Sequence, residues 1–288
     1  MSTIEPIRAF VDRYLAHVAE WSASLQPPDL DEDAARQRVR SGSSWIDPAQ
    51  VGAEANMAAE VLDTILGDLS RSCAHETPAL AWLQELSAEG HFSAAALLEA
   101  VLRRAPSDVC RIAQSAALPA QALHLLGVFV ARPFLTAALR GFDPALVNIE
   151  TSGASCPGCG FGAALGILLP EEGHRQLWCR YCGSLWPVKR LQCPSCGNHD
   201  ASRLGYFTVD GFTGRRVDIC EECRCYIKTR DLRDKETQDV TFLPEVEDLN
   251  SAELDAAAVR EGFLPMTAKG PSGPVKTSGS LDFEARRC

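Results

Sequence analysis

Over its first 150 residues the chain repeats apolar side chains at helical spacing. Ile4, Ile7, Val11, Tyr14, Val18, Trp21 and Leu25 follow one another by three or four positions. That is one stripe on a helix, which Gln26-Pro27-Pro28-Asp29 brings to a stop. Residues 29–48 are polar and contain Ser41-Gly42-Ser43-Ser44, which predicts a loop with a short helix. Met57, Val61, Ile65 and Leu69 mark one face of a helix near 49–72, and a third helix falls near 77–88. A fourth starts at the cap Ser93, runs through Leu97, Leu98, Val101 and Leu102, and ends before Pro106. Helices at 107–117 and 119–140 complete the set, the latter kinked or broken at Pro133. The pattern predicts an all-α domain over 1–150 whose stripes face its own core. His17, His75, His91 and His124 stand singly, without ligand spacing, and read as structural histidines; Cys73 and Cys110 read as small buried hydrophobes.

Beyond a hinge running from Asp143 to Ser155 the periodicity changes to short strand-like runs. Arg175 to Trp178 and Ser184 to Leu191 are two of them; Arg203 to Val209 and Arg215 to Ile219 flank the hairpin loop Asp210-Gly-Phe-Thr-Gly214. After Lys228 the chain turns polar and acidic, with a short helix at 251–261 capped by Ser251 and stopped by Gly262. The stretch 266–288, rich in Gly, Ser, Lys and Pro, predicts a mobile tail in which Cys288 is an incidental thiol.

Charge changes the picture only regionally. The net charge of −10 over 288 residues divides into −8 for 1–150, +3 for 151–235 and −5 for 236–288. An acidic chain argues against a nucleic-acid binder, because phosphate contacts supply most of that affinity, while the mildly basic middle keeps the option open. The start has no basic region followed by an apolar one, and apolar stretches are interrupted by His124, Arg132 or Pro133. The expectation is a soluble cytoplasmic protein without a membrane span.

The chemistry lies in the cysteines. Of 12, eight form four C-x-x-C pairs: Cys156-Pro-Gly-Cys159-Gly, Cys179-Arg-Tyr-Cys182-Gly, Cys193-Pro-Ser-Cys196-Gly and Cys220-Glu-Glu-Cys223-Arg. A two-residue gap lets both thiolates of a pair bind one ion from a tight turn. Glycine after the second cysteine permits the left-handed residue such a knuckle needs, and the turn's N–H groups can face the sulfurs. Two knuckles close one tetrahedral site. The 19 residues between the first two pairs fit a zinc ribbon, and the 23 between the last two leave room for a hairpin. Sequential pairing therefore predicts one site from Cys156, Cys159, Cys179 and Cys182 and another from Cys193, Cys196, Cys220 and Cys223. An interleaved, cross-braced pairing is the alternative. The ten residues 183–192 between ribbons span at most about 33 Å, so the two must be near neighbours. Closed all-cysteine sites are structural far more often than catalytic. His174 and His199 are candidate substitute ligands, and Cys225 is a spare thiol. Zinc and iron both suit four sulfurs, and spacing does not choose between them.

No phosphate-binding loop, dinucleotide fingerprint, H-E-x-x-H or G-x-S-x-G is present, and no pair of carboxylates stands out. The chain does not read as an enzyme. Four knuckles in this order, with Leu177-Trp-Cys-Arg-Tyr-Cys-Gly-Ser-Leu-Trp186 and Cys220-Glu-Glu-Cys-Arg-Cys-Tyr-Ile-Lys228, followed by Val246-Glu-Asp-Leu249 and Glu261-Gly-Phe263, resemble the formate dehydrogenase accessory protein FdhE family. The resemblance covers roughly 155–265 well and is weak over 1–150. It implies a helical N-terminal domain followed by rubredoxin-like sites with iron, ligated by the eight cysteines named above. It also implies a cytoplasmic factor that binds the catalytic subunit of a molybdenum-containing formate dehydrogenase. The departure is the fourth knuckle, where arginine replaces glycine.

The reading is thus an α+β chain: an all-α N-terminal domain over 1–150, a first four-cysteine ribbon over 151–190, a second with a C-terminal extension over 191–265, and a tail. It holds two metal ions, iron by the resemblance or zinc, and serves as an assembly factor. A zinc-ribbon nucleic-acid module, with Trp178, Trp186, Tyr206 and Phe207 near its basic stretch, is the rival. A thiol oxidoreductase is the third reading, and it needs an exposed reactive cysteine.

Overall fold

The computed structural model describes residues 4–72, 78–170, 174–233 and 242–266. Cys73, His75, Cys288 and, apart from Met266, the expected tail lie outside them. The first seven helices are α1 (Ile4–Ser24), α2 (Glu32–Arg40), α3 (Ala55–Ser72), α4 (Pro78–Ala88), α5 (Ala94–Leu102), α6 (Pro106–Ser115) and α7 (Ala120–Ala138). The described residues divide into two compact units, one built from residues up to 29 and 47–140, the other from 30–46 and 141–266. Helix α2, inside the stretch expected to form the helical domain, is part of the second.

In the first unit α1 packs on α3 and α7, and α5 packs on α3, α6 and α7. Val11, Tyr14, Val61, Leu62, Ile65, Leu97, Leu98, Val130 and Leu135 fill its core. The Ser93 hydroxyl caps α5 by accepting from the Ala96 N–H at 3.1 Å. Buried Asp68 gathers Arg13 at 3.1 Å, Arg71 at 2.6 Å and His17 Nε2 at 3.5 Å.

Of the kink or break expected at Pro133, the break does not occur: α7 is continuous through it. Proline has no N–H for the Phe129 carbonyl one turn earlier. The Tyr14 hydroxyl donates to this carbonyl at 2.8 Å, while its ring meets Phe129 edge-on with centroids 4.9 Å apart. A partner from α1 thus replaces the missing helical bond. By length and composition α7 could cross a membrane. Its Leu123, Leu126, Val130, Phe134 and Leu135 are buried instead, and α1, α3, α5 and α6 pack around it, as befits a core helix.

The second unit is built on one seven-stranded sheet. Its strands are β1 (Leu165–Leu168), β2 (Arg175–Trp178), β3 (Leu185–Val188), β4 (Leu204–Phe207), β5 (Arg215–Cys220), β6 (Cys225–Asp231) and β7 (Leu264–Pro265). The order is β3-β2-β1-β6-β5-β4, with β7 beside β6. Each ribbon is an antiparallel three-stranded meander, and the two are fused where β1 pairs parallel with β6, Gly166 opposite Thr229 and Leu168 opposite Asp231. A Cβ at Gly166 would lie 2.6 Å from Thr229 Oγ1, so only glycine lets the strands meet there.

Helices α8 (Pro244–Asn250) and α9 (Ala252–Arg260) follow. Leu254 and Ala258 of α9 join Val217, Tyr226 and Phe263 in one apolar cluster. Ser251 holds the position before α9, but its hydroxyl does not cap that helix; it donates back to the Glu247 carbonyl at 2.6 Å, and Gly262 ends α9 with φ 79°. Beside the cluster lies a chain of buried charge. Lys228 Nζ sits 2.9 Å from Asp248 Oδ1 and 2.8 Å from Asp255, and Asp255 also accepts the Tyr226 hydroxyl at 3.0 Å. Arg215 is paired with Glu247 at 2.6 Å.

Candidate metal centres

Each C-x-x-C pair folds into the same turn. The Cys156 N–H donates to the Phe161 carbonyl at 2.8 Å and the Gly160 N–H to the Cys156 carbonyl at 2.8 Å. Cys179 with Ser184 and Gly183, and Cys193 with Asn198 and Gly197, repeat both bonds. In the fourth knuckle Cys220 faces Cys225 across the β5–β6 hairpin, which keeps the five-residue spacing. Gly160, Gly183 and Gly197 have φ of 73°, 78° and 77°, and Arg224 takes the same left-handed conformation at 55°. Arg224 is held there by an ion pair with Glu221, a bond to the Glu261 carbonyl at 3.0 Å and its guanidinium 3.9 Å over Phe263. The missing glycine therefore does not change the turn; tertiary contacts impose the conformation that glycine adopts without strain.

The four sulfurs of Cys156, Cys159, Cys179 and Cys182 lie within 4.8 Å of one another, and so do those of Cys193, Cys196, Cys220 and Cys223. The structure brings together sequential pairs, not interleaved ones. Facing sulfurs are 3.5 Å apart in the first group and 3.7 Å in the second. A disulfide needs about 2.05 Å. Metal–sulfur bonds of about 2.3 Å place tetrahedral thiolates roughly 3.8 Å apart. The donor chemistry and spacing fit: each group could hold one ion, two per chain. His174 and His199 are exposed and belong to neither group.

Electrostatics supports the same reading. Burial, with the neighbouring sulfurs, pushes the Cys156 and Cys159 thiols well above the ordinary thiol range. Burial opposes ionisation of Cys182 too, but bonds from the other three cysteines and Ser184 outweigh it and hold that thiol well below the range. In the second group the bond to Cys223, then burial, raises Cys193. Packed sulfurs cannot all ionise unless a cation stands among them, and a coordinated thiol is deprotonated outright.

The two groups differ in surroundings. All four cysteines of the first are buried, whereas Cys196 and Cys223 of the second are half-exposed. The first knuckle is braced by residues that sequence reasoning passed over: the Trp45 and Ile46 N–H groups donate to the Pro157 and Gly158 carbonyls at 2.7 and 3.1 Å, and the fully buried Trp45 presents its carbonyl to Arg38 at 2.6 Å. The second knuckle is tied to α8 by Arg180, whose Nε and Nη2 meet the two Asp248 oxygens at 2.6 and 2.8 Å. No local signal marks these partners, since Trp45 is more than 100 positions from Pro157.

No family model matches the chain. A stretch of 112 residues is 33% identical to a protein FdhE homolog of Aquifex aeolicus (strain VF5), covering 38% of this chain and 38% of that protein. A protein FdhE homolog of Haemophilus influenzae (strain PittEE) is 31% identical over 111 residues, 38% of this chain and 35% of its own length. The matches thus span under two fifths of either relative. The crystal structure of the FdhE protein from Pseudomonas aeruginosa shares the fold, with a TM-score of 0.55 over 90% of this chain and 85% of that one at 20% identity.

Proposed function

The chain is a relative of the FdhE proteins, and from that premise we propose that it is a cytoplasmic accessory factor required for active formate dehydrogenase. In this reading it is not an enzyme. It docks the catalytic subunit of a molybdenum-containing formate dehydrogenase during maturation. Two ions, one bound by Cys156, Cys159, Cys179 and Cys182 and one by Cys193, Cys196, Cys220 and Cys223, hold the docking surface in shape. The observation that carries the proposal is the pair of four-sulfur groups on one continuous sheet. Four protein sulfurs complete a tetrahedral ion, so the sites favour scaffolding over substrate chemistry. Iron is the ion the family resemblance implies, and zinc suits the same donors.

The test is formate-dependent dye reduction in cells lacking the gene, with and without a plasmid copy. Activity lost on deletion and restored by the wild-type copy supports the accessory role. Unchanged activity in the deletion strain sinks it.

A further inference from the structure

The residue five positions after the first cysteine of each knuckle closes its turn, pairing through the backbone with that cysteine. It is Phe161, Ser184, Asn198 and Cys225 in the four knuckles. Ser184 Oγ lies 3.2 Å from Cys182 Sγ, and Asn198 Nδ2 lies 4.0 Å from Cys220 Sγ. In the fourth knuckle this position supplies a fifth sulfur. Cys225 Sγ sits 3.5 Å from the Cys223 carbonyl oxygen and 3.7 Å from Ser195 Oγ, between the two knuckles of the second group. It is half-exposed, as is Cys223. Cys223 also precedes the one knuckle residue that takes the left-handed conformation without being glycine, Arg224. Among the described residues the first group has no sulfur in the equivalent place, since Phe161 and Ser184 fill it.

We propose that Cys225 is an exchange ligand of the second metal site, able to take the place of Cys223 on an ion held by Cys193, Cys196 and Cys220. The inference rests on the reading of these cysteines as metal ligands. The step is a ligand substitution: the Cys225 sulfur–metal bond forms, the Cys223 sulfur–metal bond breaks, and the proton of the Cys225 thiol passes to the released Cys223 thiolate. No electron is transferred. Cys225 Sγ already lies against the Cys223 carbonyl oxygen and the Ser195 hydroxyl of the facing knuckle, so the incoming sulfur belongs to the same turns that carry the ligands. The first site, fully buried and without a fifth sulfur, has no such exchange.

The experiment uses the full chain loaded with cobalt(II), whose thiolate charge-transfer and ligand-field bands report the number of sulfurs, together with metal stoichiometry by mass spectrometry. Wild type takes two ions. Cys223→Ser keeps two with a four-thiolate spectrum, whereas Cys223→Ser/Cys225→Ser and Cys193→Ser lose the four-thiolate signature at one site and bind the second ion at least tenfold more weakly. A Cys223→Ser protein that loses its second ion as readily as the double variant overturns the exchange. A wild type that binds fewer than two ions, or a Cys193→Ser variant that binds two unchanged, overturns the two-site reading itself. Should Cys223→Ser not fold, Cys225→Ser decides, since it keeps all four direct ligands. Its second ion passes to a chromogenic chelator several-fold more slowly than in wild type if Cys225 assists exchange, and an unchanged rate rejects the inference.

Discussion

Tyr14 and Arg224 each resolve a local conflict between sequence and structure. Arg224 stands where glycine stands in the other knuckles, and its contacts with Glu221, Glu261 and Phe263 offset a left-handed backbone that costs about 1 kcal/mol. Tyr14 supplies the donor that Pro133 cannot. Tyr14→Phe keeps the ring packing and leaves the Phe129 carbonyl unpaired, so it should lower stability by about 1–3 kcal/mol in urea unfolding. Pro133→Ala restores an N–H to that carbonyl, and the loss on removing the Tyr14 hydroxyl should then shrink below about 1 kcal/mol. An equal loss in both backgrounds would show that the tyrosine is not substituting for the helical bond.

At the level of elements, α8 is tied to the sheet by charge. Asp248, 3% exposed, receives both Arg180 from the second knuckle and Lys228 from β6. Burial pushes its carboxyl up, but these two cations outweigh burial and hold it at about 2. A carboxylate depressed in the folded state contributes stability above its unfolded value near 3.9 and loses it as pH falls through the folded value. Asp248→Asn should therefore cost about 3 kcal/mol at neutral pH, since it leaves the buried Lys228 and the half-buried Arg180 short of a partner. The gap to wild type should stay flat from about pH 8 to 5 and narrow only below about pH 4. A gap that narrows already near pH 6 would mean another group governs the site.

The two ribbons form a single sheet, and that alters what losing one ion should do. In two separate modules, loss of the first site would leave the second ribbon unchanged. Here β1 of the first ribbon pairs with residues 229–231 of β6 in the second. Cys156→Ser should therefore speed amide hydrogen exchange in 215–231 as well as in 165–188, while α3, α5 and α7 keep their protection. Acceleration confined to 165–188 would mean that the parallel seam does not couple the ribbons.

Particular elements show why some features were legible in the sequence and others were not. The stripe from Ile4 to Leu25, the cap at Ser93 and the strand Arg175–Trp178 are local: spacing, a hydroxyl and a short apolar run suffice, and each appears in the structure close to where the pattern puts it. The grouping of cysteines follows from knuckle chemistry and gap length. Strands β1 and β6 escaped notice for opposite reasons. Leu165-Gly-Ile-Leu168 is buried throughout and shows no alternation, while β6 carries Lys228 and Arg230, which read as solvent-facing until Asp248, Asp255 and Glu247 are seen beside them. The sequence by itself determined the eight-cysteine inventory and the helical stripes and favoured sequential over interleaved pairing, because these depend on residues a few positions apart or on the fixed chemistry of a turn. Only the tertiary structure decided that the ribbons fuse through β1 and β6, that α2 and Trp45 brace the first knuckle, and that α7 survives its proline. Each of those depends on a partner distant in sequence filling a backbone or charge requirement that the local pattern leaves open.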